Sequence, residues 1–403
     1  MRKILISGAS IAGPTIAYWL CRRGFEVTIV ERAPAIRRGG YAIDVRGPAL
    51  AVAERMGILL RMRQESTDTL SNAFIDERGR PVVTFDRGFG VIHPEDVEIM
   101  RGDLAQLLYE RTRDQARYRF DDSITAIAEV GDGDGDGVRV SFARGAVERF
   151  ELVIGADGLH SNVRALTFGP EESFVRPLGS AIAIFTAQNR AQLDRAQLMM
   201  MAPGRVVSIK SDRGNAEVKV TLMFSSPRID RHDVEAQKAA TLAAFSSLGG
   251  PVPALLEELR TAPDFYFDMV GQARLPRWHE GRVVLVGDAA YGPSPMTGQG
   301  TSLALTGAYI LAQAIADNTD PTIAFRQYEH TMRDWVLQNQ DVAAEVAKGF
   351  APTSAFAAWF RNLNMRMLPY VPWRNFIFRL MMRDIARAST ALTLENPPSP
   401  AGA

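Results

Sequence analysis

The most constraining feature of the chain is a short unit at its N-terminus, in which two apolar runs flank a glycine-rich turn and a helix. Residues 3–7 are Lys-Ile-Leu-Ile-Ser, a β-branched run typical of a buried strand. The turn over 8–13 follows directly, a helix is predicted over 14–23, and Gly24 is a typical helix stop. A second strand is predicted over 27–30. This order of elements predicts an α/β fold.

The spacing within this unit predicts a binding site for a dinucleotide. Gly8 permits a tight turn, and Gly13 lets the helix pack closely on the strand. Residue 10 must be small so that a pyrophosphate can reach the N–H groups at the helix N-terminus, and Ser10 meets this need in place of the usual glycine. Glu31 is placed to accept hydrogen bonds from an adenosine ribose. The alternative is that the glycines only form a tight turn.

Two further motifs follow apolar strands far along the chain. Residues 151–158, Glu-Leu-Val-Ile-Gly-Ala-Asp-Gly, place Asp157 and Gly158 at the end of one strand. Residues 281–288, Gly-Arg-Val-Val-Leu-Val-Gly-Asp, place Asp288 at the end of another, before a Pro/Gly loop that opens a long helix. Aspartate in these positions suits a cofactor ligand and a helix N-cap, and the two roles are compatible. The wide separation of the motifs predicts a discontinuous domain.

Together the three motifs resemble the group A FAD-dependent aromatic hydroxylases, the p-hydroxybenzoate hydroxylase superfamily. The chain length and residues 39–48, Gly-Gly-Tyr-Ala-Ile-Asp-Val-Arg-Gly-Pro, are similar to the branch of tetracycline-inactivating monooxygenases. The resemblance implies a Rossmann-like FAD-binding domain, an inserted sheet-based substrate domain and a C-terminal helix. The expected boundaries are 1–71, 98–170 and 271–345 for the FAD-binding domain, 72–97 and 171–270 for the substrate sheet, 346–390 for the helical segment and 391–403 for a disordered tail.

The resemblance also implies which residues bind the adenine half of FAD. The pyrophosphate would lie against the N-terminal turn, lined by Gly8, Ser10, Ile11, Ala12 and Gly13. Glu31 would hold the adenosine ribose, and Arg32 would lie near the adenine. Arg101, in the segment Ile-Met-Arg-Gly-Asp, matches the family arginine that reaches FAD at the start of a helix. Without the other motifs, an arginine of this kind is more often a surface residue.

The flavin half of the cofactor would lie against the third motif. Asp288 would bind the ribityl chain, and Asp44 resembles an aspartate that contacts the flavin in the tetracycline-inactivating branch. The pyrimidine edge of the flavin would face backbone N–H groups that stabilise negative charge on the reduced ring, from Gly298, Gln299, Gly300 and Thr301.

Residues for the electron donor are less sharply indicated. Asp157 and Gly158 match the family motif associated with both FAD and the nicotinamide nucleotide. Arg37 is similar to an arginine that contacts this nucleotide, but the sequence does not separate Arg37 from Arg38. An exposed basic loop explains both arginines equally well.

The reaction implied by the resemblance is monooxygenation. NADPH or NADH would reduce the flavin, and O₂ would then form a flavin C4a-hydroperoxide that hydroxylates an aromatic or polyketide-like small molecule. The alternative is a related FAD protein with non-oxygenating chemistry, either a reductase or a non-redox cyclase. The Trp-x-Trp-x-Ile-Pro signature of the related halogenases is absent from the sequence. No catalytic acid or base can be named from the sequence.

The substrate is expected to lie against the inserted sheet. Alternating apolar segments predict strands over 180–186, 205–210 and 217–224, which would form the wall and roof of a pocket over the flavin. The candidate substrate-facing residues are Ile184, Arg205, Met223 and, in the loop before the long helix, Pro295.

Composition excludes several other classes of function. The 46 Lys and Arg balance 46 Asp and Glu, so there is no overall attraction to nucleic acid or to an anionic membrane. The single cysteine, Cys21, forms no intramolecular disulfide, which favours a reducing, cytoplasmic location. Five scattered histidines predict no metal site, and the Asp-Gly repeat at 132–137 lacks the glutamate that a calcium loop needs at its twelfth position. We expect a monomer or a weak dimer.

A final segment, 354–387, is rich in Phe, Trp, Met and Arg. It could form an amphipathic helix on a membrane, but Pro352, Pro369 and Pro372 interrupt it and basic residues punctuate it without one clean face. We therefore predict a terminal helix that packs across the two domains, with no membrane partner. No run of about 18 apolar residues predicts a membrane-spanning helix.

Overall fold

The computed structural model describes residues 2–37, 39–86, 93–131, 136–211 and 214–394. Arg38, most of the Asp-Gly repeat and the greater part of the expected disordered tail lie outside these ranges. The predictions for those residues therefore stay predictions.

The described residues form strands and helices that alternate along much of the chain. The strands are β1 (Lys3–Ser7), β2 (Glu26–Glu31), β3 (Ala42–Val45), β4 (Ser71–Ile75), β5 (Pro81–Asp86), β6 (Val97–Met100), β7 (Arg117–Phe120), β8 (Ile124–Val130), β9 (Gly137–Phe142), β10 (Glu148–Phe150), β11 (Leu152–Gly155), β12 (Val175–Gln188), β13 (Ala196–Ala202), β14 (Arg205–Ser211), β15 (Glu217–Ser225), β16 (Tyr266–Ala273), β17 (His279–Glu280) and β18 (Val283–Leu285). The helices are α1 (Ala12–Arg22), α2 (Pro48–Arg55), α3 (Leu59–Gln64), α4 (Arg101–Thr112), α5 (Asn162–Thr167), α6 (Val234–Phe245), α7 (Val252–Thr261), α8 (Asp288–Tyr291), α9 (Gly300–Asp317), α10 (Pro321–Lys348), α11 (Ala355–Met367), α12 (Arg374–Met381) and α13 (Arg383–Thr390).

A six-stranded sheet in the order β17-β18-β11-β1-β2-β7 forms the centre of the first unit. Its strands pair in parallel except for β17 and β18. The apolar residues of β1 and β11 are fully buried, with α1 packed against β1 and with β9 and β10 in contact with β11 and β1. Strand β1 has the predicted bounds, and α1 begins two residues before the predicted start. The predicted α/β class with a Rossmann-like, FAD-binding fold is confirmed.

The second unit is a seven-stranded sheet in the order β16-β12-β15-β14-β13-β4-β5. It contains the three strands predicted from the insert, with β12 extended at both ends. Helices α6 and α7 cover one face, where Phe224 of β15 packs with Phe245 and Leu259. The opposite face carries Ile182 and Ile184 of β12, because successive side chains of a strand point to opposite sides.

Smaller elements join the two units. Strands β3 and β6 pair antiparallel, which places Asp44 opposite Glu98. Strands β8, β9 and β10 form an antiparallel three-stranded sheet. Helix α11 packs on β5 and β13 of the larger sheet, and α13 packs on α10 of the first unit. No helix in the part of the chain that the structure describes is long and apolar enough to cross a membrane.

Candidate flavin site at the carboxyl edge of the parallel sheet

The three motifs meet at the edge where the parallel strands end, as an open α/β sheet requires of its ligand site. The N-terminal turn is held tightly between β1 and β11. Gly8 has φ +105°, and a Cβ atom there would lie 2.4 Å from the carbonyl oxygen of Ala156. A Cβ atom on Gly13 would lie 1.9 Å from the carbonyl oxygen of Gly8. Both glycines are therefore needed for the close approach of backbone to backbone.

Charged side chains border this turn. Both carboxylate oxygens of Glu31 accept backbone hydrogen bonds, from Ala9 N and Ala33 N, each at 2.9 Å. Arg101 is the first residue of α4, as its motif predicts, and its Nη2 donates to Ser10 Oγ at 2.9 Å. Arg37 lines the same narrow cleft. The cleft thus has a carboxylate at one side and guanidinium groups at the other.

The second motif fixes the loop between β11 and α5. Asp157 accepts hydrogen bonds from Ser161 Oγ at 2.5 Å, Val163 N at 3.0 Å and Ser7 Oγ at 3.2 Å. Ser161 is the N-cap of α5, so Asp157 supports the start of the helix without being its cap. Burial raises the pKa of the Asp157 carboxyl above its ordinary value. Gly158 follows with φ +85°.

The third motif converges with residues from near the N-terminus. Asp288 is the first residue of α8, and Gly287 is the N-cap of that helix. Of the two roles that the sequence allowed for Asp288, the role of helix N-cap is therefore excluded. A Cβ atom on Gly300 would lie 3.6 Å from Asp288 Oδ1, and one on Gly298 would lie 2.8 Å from Asp44 Oδ2. Burial raises the pKa of both aspartates, with Arg46 opposing the shift at Asp44. Two predicted flavin ligands are therefore in contact with the predicted flavin-edge loop.

Arg46 is a part of this site that the sequence analysis missed, although it stands two residues after Asp44 in the quoted segment. Its guanidinium pairs with Asp44 at 2.8 Å and with Asp96 at 3.3 Å, and donates to the carbonyl of Thr297 at 3.2 Å. Its backbone N–H donates to Ser302 Oγ. Arg46 therefore ties β3 to the loop and to the first turn of α9.

The residues at the start of α9 fit a flavin edge. Gln299 precedes the helix and is fully buried, and neither polar atom of its amide has a hydrogen-bond partner among the described residues. Gly298, with φ +68°, turns the chain so that the N–H groups of Gly300 and Thr301 stand at the N-terminus of an 18-residue helix. Such N–H groups favour a negatively charged group. The donor set suits the polar, anion-forming edge of a reduced flavin.

The face of the seven-stranded sheet opposite α6 and α7 is the one expected to form the roof. Ile182, Ile184 and Val270 form a small buried cluster, and Met223 packs against it. Tyr41 and Met296, which stand beside the flavin-edge segments in sequence, are packed against the same cluster. The predicted placement of Ile184 and Met223 on this side thus agrees with the structure. Pro295 is exposed and begins the short 3₁₀ turn that contains Met296.

Arg205 does not face the roof, so its prediction as a substrate-facing residue was wrong. It pairs across the sheet with Phe224, which belongs to the core under α6 and α7. Its guanidinium donates to the carbonyl of Ala244 and to Ser247 Oγ, both at 2.9 Å, on the helix side. The sequence-based prediction assigned the side chains of β14 to the wrong faces, because a shift of one residue along a strand exchanges its two faces.

Lys210 is the basic residue of β14 that does lie on the roof side. Its ammonium group hydrogen-bonds to the carboxylate of Glu98, which also accepts from the hydroxyls of Thr67 and Thr69. Burial raises the pKa of Glu98, but the neighbouring ammonium and hydroxyl donors outweigh it and the pKa lies below its ordinary value. The sequence feature that could have indicated this residue is a single lysine within a strand of otherwise alternating polar and apolar residues.

A second polar cluster links the two units near Asp157. His160 Nδ1 lies 2.9 Å from Glu171 Oε2, and its Nε2 lies 3.0 Å from Asp268 Oδ1 on β16. Tyr266 Oη donates to the same aspartate at 2.8 Å. Hydrogen bonds to Asp268 and then to Glu171 raise the pKa of His160 to about 9. In the sequence this histidine had no visible partner, because Asp268 is 108 residues away and nothing in the local pattern pairs His160 with Glu171.

The dinucleotide turn, the carboxylate beside it, the anion-favouring helix start and the apolar sheet face together indicate the class of protein, an FAD-binding enzyme. Residues 1–381 match the family model described as an FAD binding domain, and the chain belongs to that family. Among the described residues, no group of three or more His, Cys, Asp and Glu side chains could hold a metal ion.

Relatives specify the class further. The chain is 45% identical to an uncharacterised protein of Mycobacterium tuberculosis over 359 residues, which cover 87% of this chain and 95% of the relative. It is 38% identical to a flavin-dependent monooxygenase of an unknown prokaryotic organism over 374 residues, covering 90% and 94%. The crystal structure of tetracycline destructase Tet(55) is similar with a TM-score of 0.85 and 35% identity, covering 98% and 99%. The predicted family and the FAD-dependent monooxygenase class are confirmed.

Proposed function

We propose that the protein hydroxylates an aromatic or polyketide-like small molecule, with NADPH or NADH as electron donor and O₂ as the second substrate. The observation that supports this most directly is the convergence of Asp44, Asp288 and the turn at Gly298 beneath an apolar sheet face. The likeness to a tetracycline destructase supports a polycyclic, polyketide-like substrate. We propose a cytoplasmic monomer or weak dimer.

In such an enzyme, different residues of this chain would bind different parts of the cofactor. FAD, when bound, would supply electron storage and oxygen activation. Ser10 and Arg101 would hold its pyrophosphate, Glu31 the ribose and Asp288 the ribityl chain. Arg37, in the same cleft, would contact the nicotinamide nucleotide. The buried roof would exclude water from the reacting atoms, which protects a reactive oxygen species from unproductive breakdown.

The roof also suggests the polarity of the substrate. Ile182 and Met223 offer an apolar surface, while the buried Lys210 and the partly exposed Glu98 place an ion pair on the same side of the sheet. A ligand with fused rings and one polar, enolic or carboxylic edge would match both parts. Lys210 would donate to that edge, and Glu98 would hold the lysine ammonium in place.

The test is a stepwise assay of the purified protein. Bound FAD is measured by its absorbance, and its reduction by NADPH and by NADH is followed without oxygen. Oxygen is then admitted with tetracycline-like polyketides and small phenols, and the masses of the products are measured by mass spectrometry. A product heavier by one oxygen atom supports the proposal. Reduction without oxygen transfer would indicate a reductase, and bound FAD that neither nucleotide reduces would indicate a non-redox cyclase.

A further inference from the structure

Helix α11 is oriented with its large apolar residues outward. Phe356, Trp359, Phe360, Leu363 and Met367 follow helical spacing and form one stripe, yet each is between 41% and 72% exposed. A surface helix normally turns such a stripe toward the core. Here the helix contacts β5 and β13 through its other side, where Ala358 is buried and Arg361 donates to the carbonyl of Met201.

More exposed apolar side chains follow along the chain, two before α12 and two within it. Tyr370, Trp373, Phe376 and Leu380 are each more than half exposed. We call these four residues and the five of α11 the aromatic face. Exposed apolar surfaces of this extent are uncommon on proteins that act alone in water and mark an interaction site. The prolines that flank α11 delimit the helix without interrupting the stripe, so one clean apolar face does exist over 356–367.

The charge of this segment differs from that of the whole chain. Residues 348–383 contain six Lys and Arg and no Asp or Glu, whereas the full sequence has 46 of each sign. Arg366 and Arg374 are exposed, and they donate to the backbone carbonyls of Pro81 and Pro369. A carbonyl leaves the positive charge of a guanidinium in place. Lys348 and Arg383, at the ends of the segment, pair with Glu345 and Asp384 just outside it, whereas Arg366 and Arg374 border the aromatic face with backbone carbonyls as their partners.

We propose that the aromatic face docks on an anionic lipid bilayer surface. Trp, Tyr and Phe side chains insert at the boundary between headgroups and acyl chains, and arginine side chains reach the phosphate layer beside them. Anionic lipid strengthens such binding through each basic residue near the surface. Docking would hold the protein at the membrane through α11 and α12 without any spanning segment.

A second copy of the chain is a poorer occupant of the aromatic face. In a two-fold symmetric dimer the same surface meets itself, so Arg366 and Arg374 of both copies would come together. The segment contains no acidic residue to separate these charges. Charge complementarity therefore favours the lipid surface over self-association.

The experiment uses the full-length protein with FAD and measures co-sedimentation with vesicles. Vesicles of phosphatidylcholine mixed with phosphatidylglycerol are compared with vesicles of phosphatidylcholine alone. We expect retention on the anionic vesicles, at least about tenfold weaker retention on the neutral ones, and loss of binding in about 1 M NaCl, where charges are screened within about 3 Å. Equal retention on both vesicles, or none on either, overturns the proposal.

Two double variants and a matched control locate the contact. Trp359→Ser with Phe360→Ser removes apolar surface, and Arg366→Glu with Arg374→Glu reverses charge. Each should weaken binding to the anionic vesicles at least about tenfold. The control changes Leu60→Ser and Arg63→Glu, an exposed apolar and basic pair on α3, and should bind like the wild type.

Sedimentation velocity in the absence of lipid tests the competing occupant. A dimer that the Trp359→Ser, Phe360→Ser variant dissociates would overturn the proposal in favour of a second copy. A mass unchanged by that variant supports it. Circular dichroism and flavin content identify any variant that fails to fold. Because these measurements do not depend on turnover, they stand apart from the test of the proposed hydroxylation.

Discussion

Three glycine-to-alanine variants separate steric contact from backbone conformation in the dinucleotide turn. Gly13 lies within α1, and its added methyl carbon would stand 1.9 Å from the Gly8 carbonyl oxygen. Since real contacts of this kind stay above 3.0 Å, helix and turn must separate by about 1.1 Å. Gly24 is the matched control, because it has φ +82° and nothing within 4 Å of an added methyl.

The expected magnitudes follow from these two situations. Gly24→Ala should lower the free energy of unfolding by about 1–2 kcal/mol, the cost of a left-handed backbone for alanine. Gly13→Ala should lower it by about 3 kcal/mol or more, because the turn backs onto buried strands and has little room to relax. Gly8→Ala combines a φ of +105° with a contact of 2.4 Å and should be the least stable of the three.

Urea unfolding and flavin titration together provide the assay. Gly13→Ala should raise the FAD dissociation constant at least about tenfold, because the N–H groups that face the pyrophosphate move with the helix. Gly24→Ala should bind FAD normally. If Gly13→Ala were as stable as Gly24→Ala, or kept its full affinity for FAD, close packing would not be the reason for this glycine.

Three further outcomes are expected. Asp288→Ala should purify with much less FAD, measured as flavin absorbance per protein, because a hydrogen bond to the ribityl chain is lost; normal loading would refute its assignment. Lys210→Met should raise KM for the substrate about tenfold, whereas Arg205→Met should leave KM unchanged, and equal effects would contradict the assigned sheet faces. His160 has a raised pKa in the folded state, so its stabilisation is complete below pH 6.5 and declines as pH rises through about 9. Urea unfolding should therefore show the stability advantage of the wild type over His160→Gln shrinking by up to about 3 kcal/mol across this range, and a constant difference would count against the ion pairs.

Much of the fold and of the nucleotide site follows from short stretches of sequence. The turn at Gly8 was predicted because it depends on a few consecutive residues, and the start of α4 at Arg101 was implied by the family resemblance. Backbone conformation, helix starts and the approach of a pyrophosphate are local properties. The motif at 281–288 placed Asp288 at the end of a strand, and the family resemblance added the proposed flavin-side roles of Asp44 and Asp288.

Only the tertiary structure decided which side chains share the sheet face that we propose lines the substrate pocket. Arg205 and Lys210 both stand on β14, and alternation alone does not say which of them lies on that face. A shift of one residue exchanges the faces of a strand, and the phase is set by pairing with strands that are distant in sequence. The contact of Asp44 with Gly298 and the bonds of His160 to Asp268 arise in the same way. The outward orientation of the apolar stripe of α11 also depends on tertiary contacts, because the packing of a helix on a sheet decides which side of the helix is buried. The sequence by itself therefore determined a dinucleotide site through local geometry and the FAD class through its family resemblance, whereas long-range packing decided which side chains share a sheet face and which face of α11 is exposed.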